Sequence, residues 1–235
     1  MKAMILRIGI DKGTDGTLAP IFNDRSYEYI PMSERDNKST EPRKYSNTKG
    51  RSGKLLSYYL PKRVKDRTIH FDPEFETMTY GDPTIKRKYL LRLAKDDLLV
   101  FYAGLTPFRT KRFKEGLFII GYFLVSEVVE FKVLTMEEIK STYNRLHNNA
   151  HAKRSYHASE LVIVTGSSSS RLLERAIPIS STKMNSIGRK YHVVSPKIEK
   201  LLGIKGSIQR SIPPRFIYDI KNISNLRTIL SESQL

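Results

Sequence analysis

The chain has 235 residues and a mass of 27.1 kDa, with 41 Lys and Arg against 24 Asp and Glu, a net charge of +17, and neither cysteine nor tryptophan. The lack of cysteine excludes disulfide scaffolds, cysteine-ligated zinc or iron–sulfur centres and cysteine nucleophiles. No apolar run reaches the roughly 18 residues that cross a bilayer, and the 39% hydrophobic content supplies a packed core.

Ala3 to Ile10 (AMILRIGI) is a mostly apolar run ending in a turn rich in Gly and Asp, the pattern of a buried strand. Arg7 interrupts it and no small-residue cleavage site follows, so it is not read as a signal peptide and the protein is expected in the cytoplasm. Asp11 to Pro20 is a loop by composition. Tyr27 to Ile30 is expected as a strand stopped by Pro31. Residues 33–53 are polar, turn-rich and long for a passive connection. Asp82-Pro83 reads as an N-cap with proline at the first helical position, followed by an apolar stripe at Ile85, Tyr89 and Leu93. Leu98 to Leu105 and Leu117 to Val129 are the strongest strand signals. Thr135 with Glu138 forms a capping box opening a helix to about Leu146. Leu161 to Val164 is a short strand leading through Gly166 into four serines, and Arg171 to Ala176 is expected as a helix. Ser195-Pro196 opens another helix closed by Gly203, and Ser224 is expected to cap the last. Strand and helix signals intermix with no repeat, heptad pattern or linker. The fold class is therefore α+β in a single domain over 1–235, with a three-layer α/β arrangement as the alternative.

The charge is concentrated. Residues 33–67 hold 11 basic and four acidic residues, and 183–215 hold eight basic and one acidic. Stretches this dense repel themselves unless they meet an anion, and phosphate is the commonest one. Arg43, Lys44, Lys49 and Arg51 are the candidate contacts to a nucleic-acid backbone. Tyr45, Tyr58, Tyr59, Tyr191 and Phe216 lie among the charges and suit base stacking. The alternative is a solvated basic surface of the kind frequent in thermophile-like compositions.

Three clusters can carry chemistry. In IHFDPEFETMTYGDP (69–83), an extended backbone points His70 and Asp72 to one side, and Glu74, Tyr80 and Asp82 follow. One imidazole among carboxylates suits a divalent ion, with His70 and Asp72 as ligands, and equally suits acid–base catalysis by His70, Asp72, Glu74, Tyr80 and His151. In LHNNAHAKR (146–154), His147 and His151 are expected on one helix face. Asn149 is read as facing a base or sugar and Arg154 a phosphate. In the third, Ser167, Ser168, Ser169, Ser170 and Arg171 are expected at a helix N-terminus, a ready anion site. The Gly-Lys-Ser/Thr ending of a Walker A loop is absent. G-x-S-x-G, H-E-x-x-H and P-C-x-x-C motifs do not occur either, which disfavours serine-hydrolase, zincin and zinc-deaminase chemistry.

The ordered segments RIGIDKGTDG, PIFND, YEYIP, HFDPEFETMTYGDP, LLVFYAGL, GYFLV, NAHAKR and SSRLLERAIPIS resemble the nucleotide modification associated domain 3 family of prokaryotic proteins. They run from Arg7 to Ser180 and leave 181–235 as a basic C-terminal extension. The resemblance implies a role near nucleic-acid base modification or processing. The two long strand signals are also similar to the core hairpin of PUA-like barrels (the EVE and ASCH groups), which implies a mixed, partly barrel-like sheet flanked by helices and a pocket that grips a base.

The reading is of a nucleic-acid- or nucleotide-interacting protein with no membrane partner. His70, Asp72, Glu74 and Tyr80 are expected to meet Asn149 and His151 in one pocket. One alternative is a metal-assisted enzyme acting on a small nucleotide or other phosphorylated metabolite, with a divalent metal as the cofactor. The other is a non-catalytic interaction protein, for which those residues would lie far apart. Oligomeric state is not legible.

Overall fold

A computed structural model describes residues 1–34, 36–154, 157–209 and 213–233. The strands and helices in chain order are β1 (Ala3–Arg7), β2 (Ala19–Ile21), β3 (Met32–Ser33), β4 (Ile69–His70), β5 (Thr79–Asp82), the single turn α1 (Arg87–Leu90), β6 (Leu98–Pro107), β7 (Gly116–Glu130) and α2 (Met136–Arg145). They continue with β8 (Val162–Gly166), β9 (Arg171–Pro178), β10 (Ser180–Met184), β11 (Lys190–Val194), α3 (Pro196–Leu202), β12 (Arg215–Ile217) and α4 (Ile220–Glu232).

Eight strands make one mixed sheet in the order β12-β1-β6-β7-β8-β5, with β2 extending the β6 edge beyond β1 and β9 pairing with the first half of β7. β1 and β2 run parallel to β6, and β6, β7, β8 and β5 are successively antiparallel. Among the described residues the sheet does not close into a barrel, so the architecture is an open α+β sheet. Its length comes from β7: residues 118–122 pair with β9 and residues 125–130 pair with β8, with bulges absorbing the change of partner.

Both faces of the central strands are covered, which is why β1 and β6 read as continuous apolar runs. Met4, Leu6, Leu99, Phe101 and Leu105 point into a core roofed by the long irregular segment between β1 and β6, including Tyr27, Tyr45, Leu56 and Ile69. Ala3, Ile5, Leu98 and Val100 point into a second core closed by Ile198, Leu202, Ile223, Leu226 and Leu230 of α3 and α4. The C-terminal residues are thus part of the sheet's packing, and β12 pairs directly with β1.

The two long strands, the Thr135–Glu138 capping box and the Ser195–Gly203 helix form where expected. Gly203 supplies the left-handed cap at φ 68°. Five expectations fail. Tyr27 to Ile30 is not a strand beyond one bridge from Tyr27 to Ile21; isolated backbone bonds, from the Glu28 amide to the Pro20 carbonyl and from the Ile10 amide to the Ile30 carbonyl, hold the segment together with the Tyr27 hydroxyl, which donates to the Ile120 carbonyl. Asp82 ends β5 and its carboxylate accepts from Thr84, so the helix shrinks to one turn at Arg87. Its buried residue is Leu90, Leu93 is buried beyond the helix end, and Ile85 is exposed. Arg171 to Ala176 is strand β9: its Leu, Glu, Arg and Ala favour a helix locally, and the open edge of β7 overrides that preference. Asp219, not Ser224, caps the last helix. α2 stops at Arg145, so His147 and His151 share no helix face.

Candidate functional site

The site lies against the first core, where three segments meet. β3 and β4 pair antiparallel with Met32 opposite His70. Glu34 continues from β3, and its amide is held by the Thr68 carbonyl at 2.9 Å, which sets its carboxylate beside the His70 ring. Asp72 follows two residues after His70. The third segment is the turn after α2, where buried Asn149 donates to Thr79 Oγ1 at 3.0 Å and accepts from the His151 amide at 2.9 Å. That pair of bonds ties His151 to the start of β5.

His70 Nδ1 is 2.8 Å from Glu34 Oε1. An ionised carboxylate only accepts, so the proton of a neutral His70 sits on Nδ1 and the lone pair on Nε2. The His70 and His151 rings meet edge to face with centroids 5.0 Å apart. His151 Nε2 is 3.2 Å from the Gly81 carbonyl and 3.6 Å from Asp72 Oδ2. The other Asp72 oxygen accepts from the Gly81 amide at 2.8 Å. One potential ligand atom from each of His70, Asp72 and His151 lies within 4.8 Å of the other two. All three are nearly enclosed, with side-chain exposures of 12%, 7% and 9%.

This group forms the floor of a cleft of about 430 Å³, whose walls include Arg7, Glu34, Asp36, Tyr80, Asp82, Lys86 and Arg154. A second lobe of about 600 Å³ shares Met32, Ser33, Glu34 and Asp36 and continues over Asp15, Lys44, Asp66 and Arg67. Arg154 bridges Glu34 at 3.1 Å and Asp36 at 2.9 Å. Burial works against the Asp36 charge, but the Lys38 amide and Arg154 outweigh it and hold the carboxyl below its ordinary range. Behind Asp72, the Tyr29 hydroxyl donates to the Pro73 carbonyl at 2.8 Å. Burial, reinforced by the Asp72 and Glu74 charges, pushes this phenol far up.

Of the residues singled out from sequence, the structure gathers His70, Asp72, Tyr80, His151 and Arg154 around this cleft, with Asn149 directly behind. Glu74 is separate. It is buried and its carboxylate accepts from the Glu76 and Thr77 amides, closing the turn before β5. Ser167 to Ser170 form the turn between β8 and β9, with Ser167 N and Ser170 Oγ both bonded to Leu124. Because a strand follows, no helix dipole faces these serines, and Ser168 and Ser170 line a different depression with Arg171. Arg43 is held by Glu41 and Glu76, and Arg51 by the Leu173 carbonyl and Glu174, so both tie loops to the fold. Lys44 and Lys49 are exposed. Tyr45 is fully buried with its hydroxyl on the Pro31 carbonyl, whereas Tyr58 is 45% exposed.

Two site residues had no reading of their own in the sequence. Glu34 counted only as one of four acids in a basic stretch, and nothing local marks it as the partner of His70. Gly81 carried a signal, since a glycine inside a strand often marks close approach. A Cβ there would lie 2.7 Å from His151 Cδ2.

Compared with known proteins, residues 2–197 match the family model described as nucleotide modification associated domain 3. No curated protein and no solved structure matches the chain.

Proposed function

The chain belongs to the nucleotide modification associated domain 3 family, and on that premise we propose that it binds a nucleotide or nucleic-acid segment in the two-lobed cleft and acts on the base held there. The observation that carries this is the convergence of His70 and Asp72 with His151, from two segments far apart in sequence, on the floor of one cleft in a chain of net charge +17. Exposed Lys44 lines the larger lobe beside Asp15, Asp66 and Arg67, and is the cation that meets a phosphate when a base reaches the lobe over His70. Exposed Tyr58 supports nucleic acid over a free nucleotide. Lys54 Nζ lies 4.2 Å over its ring, and Arg109 reaches its hydroxyl at 3.1 Å, a pairing of aromatic face and cation suited to an unstacked base.

In chemical terms the floor is an acid–base pair. Glu34 fixes the His70 proton on Nδ1 and leaves Nε2 to accept one. His151, whose Nε2 faces two acceptors, presents a proton there. Proton transfer at a ring nitrogen or exocyclic amine is the step these groups serve.

Fluorescence anisotropy with a labelled single-stranded oligonucleotide tests the binding half. A contact neutralising about four phosphates loses affinity about fifty-fold between roughly 50 and 200 mM salt. Mononucleotides are expected to compete for the same site, and Lys44→Glu to weaken the oligonucleotide. Absence of binding at the lower salt would remove the proposal.

A further inference from the structure

We propose that His70, Asp72 and His151 bind a divalent first-row transition-metal ion, with Glu34 orienting His70 from behind. Two ligands about 2.1 Å from a tetrahedral ion lie about 3.4 Å apart. His151 Nε2 and Asp72 Oδ2 are 3.6 Å apart, and the His70 atom lies within 4.8 Å of both, so small side-chain rotations complete the set. The backing is already in place. The carboxylate on His70 Nδ1 is the outer partner that metal-bound imidazoles commonly have, and Arg154 in turn holds the second oxygen of Glu34. Asp72 keeps one oxygen on the Gly81 amide and turns the other to the group. Ligation by His151 Nε2 takes the Nδ1–H tautomer of the ring, so the Nε2 proton that faced the Gly81 carbonyl is given up and Nδ1 carries the ring's proton.

The donor set selects the ion class. Two imidazoles and one carboxylate suit zinc, ferrous iron, cobalt or manganese rather than calcium or magnesium, which prefer all-oxygen sites. Three protein ligands also leave a coordination position facing the cleft, where water or a substrate atom fits. The exposed His147 carries no such surroundings. As a cofactor the ion rests on the nucleotide reading above and takes the place of the direct acid–base use of the two Nε2 atoms, supplying an activated water instead; as a bound ion it does not rest on that reading, because it can be measured with metal alone.

The test is titration of the full, metal-stripped chain with Zn²⁺ by calorimetry, and with Co²⁺ by its visible absorption. One ion per chain is expected, with histidine-type cobalt bands. Asp72→Asn retains an acceptor for the Gly81 amide and so preserves the fold, yet is expected to weaken zinc binding more than a hundred-fold. Glu34→Gln is expected to weaken it 10- to 100-fold, and His147→Ala to leave it unchanged. Absence of stoichiometric binding to the folded wild-type chain overturns the proposal, as does equal affinity in Asp72→Asn. Loss of oligonucleotide binding with zinc binding intact would instead count against the nucleotide reading alone.

Discussion

Gly81 lies where no side chain fits. His151 Cδ2 occupies the space 2.7 Å from the position of a Cβ, and the Asn149 amide oxygen stands 3.4 Å away. Gly81→Ala must therefore push the His151 ring off Asp72 or bend β5. Crowding of this kind costs about 1–3 kcal/mol. The expected outcome is a folded protein, by circular dichroism, whose zinc affinity falls at least ten-fold; unchanged affinity would mean the ring need not sit there. Asn149 is a different case. The sequence suggests a group facing a ligand, but the side chain is fully buried and committed to Thr79 and the His151 amide. Asn149→Ala leaves both groups unpaired, and a buried unsatisfied group costs about 1–3 kcal/mol. Urea unfolding should show a loss of that size. A role facing a base or sugar would instead weaken ligand binding with stability preserved.

The cleft wall is an element held by charge. The irregular stretch after β3 is clamped to the turn following α2 by a bridge between Ser39 and Arg154 and by the Thr40 amide on the Lys153 carbonyl at 2.7 Å. Glu41 locks the clamp, bonded to Arg43 and to Lys153, each at 2.7 Å. Burial tends to raise its pKa, but the bonds from Arg43 and Lys153 prevail and bring it from 4.5 to about 2. A depressed carboxyl contributes stability that is complete above its unfolded value and is lost as pH falls through the folded one. The urea midpoint should therefore fall as the pH is lowered from about 5 toward 2, and Glu41→Gln should flatten that fall; an identical pH profile in the variant would contradict the clamp. Legibility at this scale divides along a physical line. β6, β7 and the capping box are local patterns, and they form as read. β9 reads as a helix because Leu172, Leu173, Glu174 and Ala176 carry helical preference, whereas their state is set by an edge of β7 remote in sequence. The HFDPEFETMTYGDP segment stood out by composition. Its completion by His151, 70 residues from the Gly81 carbonyl it faces, depends on β5 pairing with β8, which no local pattern encodes.

Across the whole molecule, much of the positive charge is spent internally. Arg43, Arg51, Arg67 and Arg154 answer carboxylates, so the groups left for a polyanion are lysines such as Lys44 and Lys49. Replacing Lys44 and Lys49 with alanine should lower the salt slope of oligonucleotide binding by about 0.7 per lost phosphate contact. An equal slope would place the interface elsewhere. The central claim, that the His70–Asp72–His151 floor faces the ligand, has a more direct readout. The chain has five histidines, so their imidazole carbon–proton signals can be assigned individually by NMR. On titration with nucleoside monophosphates and a short oligonucleotide at low salt, the His70 and His151 signals should move together while those of His147, His157 and His192 stay. Movement confined to the last three, or no movement at all, would contradict it.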